Sequence, residues 1–189
     1  PKSFNNKYGV PLSLFNLKQN DDFGVFEVGM DKKGEIDNLT KIIKPDLGII
    51  TNISYAHSKN FKSIQQIADA KAEIINNIKS DGTVVLNMDD NFYKYHKDLA
   101  LKKKLKVISF GIKNKTAMIR LIKVKKIKNK YELSIKVNGL SLAVYSQNDN
   151  QNHLYNILAT LASVNLFVDF KKFKKDFFLN FKTPIGRGD

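Results

Sequence analysis

Apolar and polar positions along this chain follow two rhythms, and the change between them comes after Gly111. Before it, short continuous apolar runs alternate with amphipathic stretches. Phe23-Gly-Val-Phe-Glu-Val-Gly29 reads as a buried strand rich in β-formers and closed by glycine. Glu35 to Ile43 suits a short helix ended by Lys44-Pro45, and Leu47 to Asn52 a second buried strand. From Ser63 to Ile78 the residues Ile64, Ile67, Ala68, Ala70, Ile74, Ile75 and Ile78 form a helical stripe, with Ser63 placed to cap it. Asp81-Gly82 turns the chain into a strand over Thr83–Asn87; a helix over Asn91–Leu101 and a strand over Lys106–Phe110 follow. Strands separated by helices in this way predict right-handed crossovers and a mainly parallel sheet covered on both faces, as do strands apolar on both sides.

After Gly111 the period shortens. Ala117–Ile127, Tyr131–Val137 and Leu140–Tyr145 read as successive strands, the last two joined by Asn138-Gly139, a strong tight-hairpin signal. A small antiparallel appendage to the main sheet is expected here. The polar stretch from Ser146 to Asn152 leads into a helix from His153 to about Phe167, and Phe170–Phe178 suggests a short final helix. Thr183-Pro-Ile-Gly-Arg-Gly-Asp189 has turn chemistry, so residues 1–182 are expected to form the domain and 183–189 a linker.

With 189 residues the chain can support one well-cored domain. Its 42% hydrophobic and 26% charged content is that of a globular protein. No apolar run approaches the ~20 residues of a membrane-spanning helix, and no secretory leader is visible, although a chain opening on Pro1 gives that little weight. Cysteine is absent, which excludes disulfides and thiolate metal sites. A cytoplasmic monomer is the expectation. The net charge of +14 raises nucleic-acid binding. The lysines are spread along the chain with small clusters, and arginine appears only as Arg120 and Arg187, so a solvated lysine-rich surface is preferred over a nucleic-acid footprint.

Ligands of open parallel sheets sit beyond the carboxyl ends of the strands. Glu27, Asn52 and the group Asn87, Asp89 and Asp90 fall at such ends, with His57 in the loop after the second strand. A carboxylate, an imidazole and amides at one rim would suit magnesium and phosphate, because magnesium keeps several waters and needs few protein ligands. Each has a plainer reading: Glu27 as a solvated strand end, His57 as a loop histidine, the Asn and Asp residues as turn and cap formers, and Lys71 as a surface lysine.

Taken in order, Ser3-Phe-Asn-Asn-Lys-Tyr-Gly-Val-Pro11, Phe26-Glu-Val-Gly-Met30, Gly34-Glu-Ile36, Lys44-Pro-Asp-Leu-Gly-Ile-Ile-Thr-Asn-Ile53 and Ala56-His57 resemble the central ATP-binding domain of the Mur ligases. Ile67-Ala-Asp-Ala-Lys-Ala-Glu-Ile74, Asn87-Met-Asp-Asp90, Tyr155-Asn-Ile-Leu-Ala159 and Gly186-Arg187 continue the likeness over nearly the whole chain. It is greatest to members that join D-alanyl-D-alanine to UDP-N-acetylmuramoyl-tripeptide through an acyl phosphate. The resemblance implies ATP and Mg2+ as cofactors, Glu27, His57 and Lys71 as metal ligands, and Lys71 as a carbamate, with His57 and Lys71 serving catalysis. It also implies Asn156, Arg187 and Asn52 on the nucleotide side and Asn5 and Asn6 toward the muramoyl-peptide.

Two departures stand out. The family's His-Asn before the Asn156 helix is Asn152-His153 here, and its small-Asn-His run after Glu-x-Gly is Met30-Asp31-Lys32. The resemblance further implies a glycine-rich Gly-Lys-Thr/Ser phosphate loop before residue 1 and further domains on either side, so the 189-residue chain is expected to be inactive alone. Nucleic acid and membrane insertion are not expected. The rivals are a diamino-acid-adding ligase, a folylpolyglutamate synthetase or a basic nucleic-acid-binding module.

Overall fold

The computed structural model describes residues 4–55 and 60–180, apart from the Lys171 side chain. His57, Arg187 and the expected 183–189 linker lie outside the described residues. The helices are α1 (Gly9–Phe15), α2 (Glu35–Ile43), α3 (Ile64–Asn77), α4 (Tyr93–Lys102) and α5 (Gln151–Val164). The strands are β1 (Leu47–Ile50), β2 (Thr83–Asn87), β3 (Lys106–Gly111), β4 (Ile119–Ile127), β5 (Lys130–Val137) and β6 (Leu140–Ser146). They lie in sequence order in one mixed sheet, β1-β2-β3-β4-β5-β6. The start of β2 bonds beside the start of β1 (Thr83 N–H to Asp46 O, 3.0 Å), and the start of β3 beside that of β2 (Lys106 N–H to Gly82 O, 2.9 Å). Starts meeting starts, with α3 and α4 as crossovers, is the parallel arrangement that the apolar runs predict. β3 and β4 are also parallel, whereas β4, β5 and β6 are antiparallel.

The chain divides into two compact units, Pro1–Val84 with Lys94–Lys106, and Val85–Tyr93 with Val107–Asp189. In the first, α2 packs on α3 and α3 on β1. Ser63 caps α3 by accepting the Gln66 N–H at 3.3 Å, and Ile67, Ala68, Ala70 and Ile75 of its stripe are buried. α2 stops at Lys44, whose φ of 47° reverses the chain before Pro45. In the second unit α5 packs on β4, burying Leu154, Ile157, Leu158 and Leu161 above a sheet face that includes Leu133, Ile135 and Val144. Asn138 and Gly139 take φ values of 48° and 85°, the left-handed pair of a tight hairpin turn.

Two expectations are corrected. Phe23–Gly29 forms no ladder strand among the described residues, and it is not buried: Val25 is 91% exposed. Period and β-propensity identify an extended segment, but a strand also needs a neighbour along its length, and the backbone bond recorded here is Gly29 N–H to Asn5 O. Phe170–Phe178 holds only a 3-10 turn, Phe170–Lys172, followed by turns. Phe173, Phe177 and Phe178 stack on one another at 5.0–6.0 Å, so the aromatic spacing serves a local cluster and not a helical face. Conversely, α1 was not anticipated. Asn6 starts it by accepting the Tyr8 and Gly9 N–H groups at 3.0 Å, and Pro11 falls in its first turn, where a missing N–H costs nothing.

Candidate functional site

In the first unit, Glu27 lies exposed on the segment before α2, and its Oε1 accepts from Asn5 Nδ2 at 3.2 Å. The Gly29 N–H donates to the Asn5 carbonyl at 2.8 Å. A Cβ on Gly29 would stand 2.9 Å from Asn5 Nδ2, so only glycine lets the amide reach the glutamate undisturbed. Asn5, Ser13, Phe26 and Glu27 help line a shallow hollow of about 140 Å3. Asn6, expected toward the same substrate, has its side-chain oxygen committed to the start of α1.

Lys71 extends from α3 and its ammonium donates to the Asn52 carbonyl at 2.8 Å, just past β1. The contribution of Asn52 to this contact is thus its backbone; its side-chain oxygen accepts from the Thr51 hydroxyl at 3.4 Å. Glu27, Asn52 and Lys71 sit on segments that share packing. Their immediate chain neighbours Val28, Ile53 and Ala70 belong to one apolar cluster with Met30, Ile36, Ile67, Phe61 and Ile74. Three separate segments are therefore anchored in common packing.

Glu73, which the sequence gives no reason to single out, locks this arrangement. It is 8% exposed, and its two oxygens accept the N–H of Gly34 (2.7 Å) and of Asp37 (3.0 Å) at the start of α2. A carboxylate at a helix N-terminus meets both the unpaired donors and the positive end of the dipole. Gly34 sits at φ +90°, which presents its N–H to that carboxylate. One turn on, Asn77 Nδ2 donates to Asp37 and Thr40 at 2.9 Å. Glu73 and Asn77 thereby fix the rotation of α3 against α2, and with it the side of α3 from which Lys71 emerges.

In the second unit the acidic turn after β2 is structural. Asn87 Oδ1 accepts the Asp89 N–H at 3.0 Å and Asp90 Oδ1 the Phe92 N–H at 2.8 Å, the turn-forming behaviour typical of these residues. Asp89 accepts from the backbone of Ile112 (2.6 Å), Lys113 (2.9 Å) and Asn114 (2.7 Å) and from the Tyr155 hydroxyl (3.0 Å). Burial would raise its pKa, but these four donors outweigh it and hold the carboxyl below its ordinary value. Burial and the Asp89 charge push the Tyr155 phenol up to about 12, so it stays a donor. Asn156 is exposed on α5 beside Tyr155, whose ring meets Phe110 edge-on at 6.5 Å. His153 is buried at the start of α5, and burial lowers its pKa.

Among the described residues no group of three or more His, Cys, Asp and Glu side chains could hold a metal ion. The chemistry of the donors still suits magnesium at Glu27, an exposed hard-oxygen ligand, because that ion retains much of its water. Lys71 as an ammonium donates and cannot ligate; it would join only after carbon dioxide converted it to an anionic carbamate.

This architecture, a mixed α/β sheet flanked by helices, coincides with a known family. The family model of the Mur ligase middle domain matches residues 1–164, and the chain belongs to that family. It is 35% identical over 147 residues to the UDP-N-acetylmuramoyl-tripeptide--D-alanyl-D-alanine ligase of Buchnera aphidicola, covering 76% of this chain and 30% of that protein. Its fold matches a crystal structure of MurF from Acinetobacter baumannii with a TM-score of 0.82 at 25% identity, covering 90% of this chain and 37% of that one. MurF ligase from Thermotoga maritima in complex with ADP shares the fold, with a TM-score of 0.78 at 24% identity over 90% of this chain and 40% of that one. The chain thus spans about a third of the length of the relatives it matches.

Proposed function

We propose that this chain is the nucleotide- and metal-side part of a ligase that adds D-alanyl-D-alanine to UDP-N-acetylmuramoyl-tripeptide in the cytoplasm, consuming ATP and acting as a monomer. What carries the reading is the convergence of the segments bearing Glu27, Asn52 and Lys71 on one apolar cluster, in a chain 35% identical to a protein of that name. The reaction has two balanced steps. The peptide's terminal carboxylate attacks the γ-phosphorus of ATP, and the bond to the bridging oxygen breaks, giving an acyl phosphate and ADP. The amine of D-alanyl-D-alanine then attacks the acyl carbon, loses a proton and expels phosphate as the amide forms.

Little covalent chemistry falls to the protein, so positioning and charge compensation dominate. Magnesium, when bound, supplies neutralisation of the phosphate charge, held by Glu27 and His57 and by Lys71 as its carbamate. Asn5 orients the Glu27 carboxylate while facing the muramoyl-peptide beside Asn6. Asn156, Asn52 and Arg187 serve the nucleotide, and Tyr155 holds the helix that presents Asn156. The 189 residues contain no Gly-Lys-Thr or Gly-Lys-Ser loop to cradle phosphates, so this chain alone turns over no ATP.

The test is substrate-dependent ADP release by the full-length protein. D-alanyl-D-alanine with the UDP-muramoyl-tripeptide supports it; release with meso-diaminopimelate, lysine, or folate plus glutamate instead would assign a sister ligase.

A further inference from the structure

The fold concentrates charge that the sequence only scatters. Between residues 119 and 146 lie seven Lys and Arg residues against Glu132 alone, so +6 of the chain's net +14 sits on the segment that forms β4–β6 and their turns. Cross-strand register sets the faces. Lys125, Glu132 and Tyr145 lie side by side, as do Lys123, Ser134 and Ala143, and Arg120, Lys136 and Ser141; Lys130 follows opposite Ile127. The alternate residues Leu133, Ile135 and Val144 are buried on the other face. Five cations and one carboxylate therefore share the outward face.

An apolar residue is turned out among them. The register slips between Leu121 and Lys123, which makes Ile122 the extra residue of a β-bulge, a device that re-aims a side chain. Ile122 is 55% exposed and borders a shallow hollow with Ser134, Lys136, Ser141 and Ala143.

We propose that this face of β4–β6 docks the enzyme reversibly on a membrane surface rich in anionic phospholipid. Charge complementarity requires an anionic partner, and three details select a lipid surface over nucleic acid. The tyrosine ring of this face, Tyr145, which could stack a base, is already capped by Lys130 Nζ at 3.6 Å from its centroid. The guanidinium of Arg120, the one arginine of the face, donates to the Ala117 carbonyl at 3.2 Å. An exposed isoleucine beside Lys123 and Lys136 matches a bilayer interface, where headgroup charge is diffuse and an apolar side chain can enter the boundary. None of the described helices is long and apolar enough to cross a membrane, so the attachment is peripheral.

The experiment is co-sedimentation of the 189-residue chain with phosphatidylcholine vesicles with and without phosphatidylglycerol, at low and high salt. Binding should require phosphatidylglycerol and fall with salt. At about 5-fold per lysine, Lys123→Glu with Lys125→Glu should weaken partitioning by at least ~25-fold. The charge-matched pair Lys102→Glu with Lys104→Glu, on the other unit, should weaken it far less. Ile122→Ser, which leaves the charge unchanged, should weaken it severalfold and decides the matter if the double variant fails to fold. Equal losses from both pairs, no loss from Ile122→Ser, or binding to duplex DNA or RNA in preference to vesicles would overturn the proposal.

Discussion

Replacing Asp89 by Asn removes the charge from the carboxylate that holds the loop after β3 and the α5 helix together. In the folded protein its two oxygens accept three backbone N–H groups at 2.6–2.9 Å and the Tyr155 hydroxyl at 3.0 Å. Asparagine keeps one oxygen and turns an NH2 group toward donors, so about half of these bonds are lost. Hydrogen bonds to charged groups contribute about 1.5–3 kcal/mol each, which puts the expected loss near 3 kcal/mol. Urea unfolding followed by circular dichroism measures it. The carboxyl is held below its ordinary 3.8, so the unfolded state takes up the proton first as the solution is acidified. Its contribution is complete above that ordinary value and disappears as pH falls through the lower folded value. Asp89→Asn should flatten that acid limb, and Tyr155→Phe should cost less in the variant than in the parent. A loss under about 0.5 kcal/mol at neutral pH would refute the clamp, given the size of ordinary surface effects; so would an acid limb that is identical in both proteins.

Removing the α2 cap with Glu73→Ala strands the half-buried Gly34 and Asp37 N–H groups and should cost about 1–3 kcal/mol in the same assay; a cost below ~0.5 kcal/mol would argue against it. His153 is pushed below its ordinary 6.5 by burial, so the unfolded chain protonates before the folded one and stability should decline as pH drops below that value. The urea midpoint should fall between about pH 7.5 and about pH 5.5, less steeply in His153→Phe, and an unchanged slope would count against this source.

Local chemistry made much of the fold legible. The Ser63 cap, the Lys44-Pro45 stop and the Asn138-Gly139 hairpin lie within a few residues of what they control, and each appears where the sequence puts it. Long-range pairing was less accessible. Glu73 acts on residues 36 and 39 positions earlier, and Asp89 on a tyrosine 66 positions later, distances at which no periodicity betrays the partner. The Phe23–Gly29 error has the same root, since composition reports a wish to be extended but not whether a neighbouring strand is present. Of the expected site, Lys71 meets the Asn52 backbone, and the segments bearing Glu27, Asn52 and Lys71 share one apolar cluster. That Asp89 serves as a clamp, while Asn87 and Asp90 form turns, could be weighed from sequence only as one of two readings.

The reading of the site rests on Glu27 as a magnesium ligand, and magnesium dependence of ADP release by the full-length enzyme probes it. Glu27→Gln should raise the magnesium concentration for half-maximal rate at least ~10-fold, the loss expected when a ligand of a metal site is disturbed. Its urea midpoint should stay near the parent's, because the residue is exposed. A Glu27→Gln enzyme with the parent's magnesium dependence would contradict the assignment.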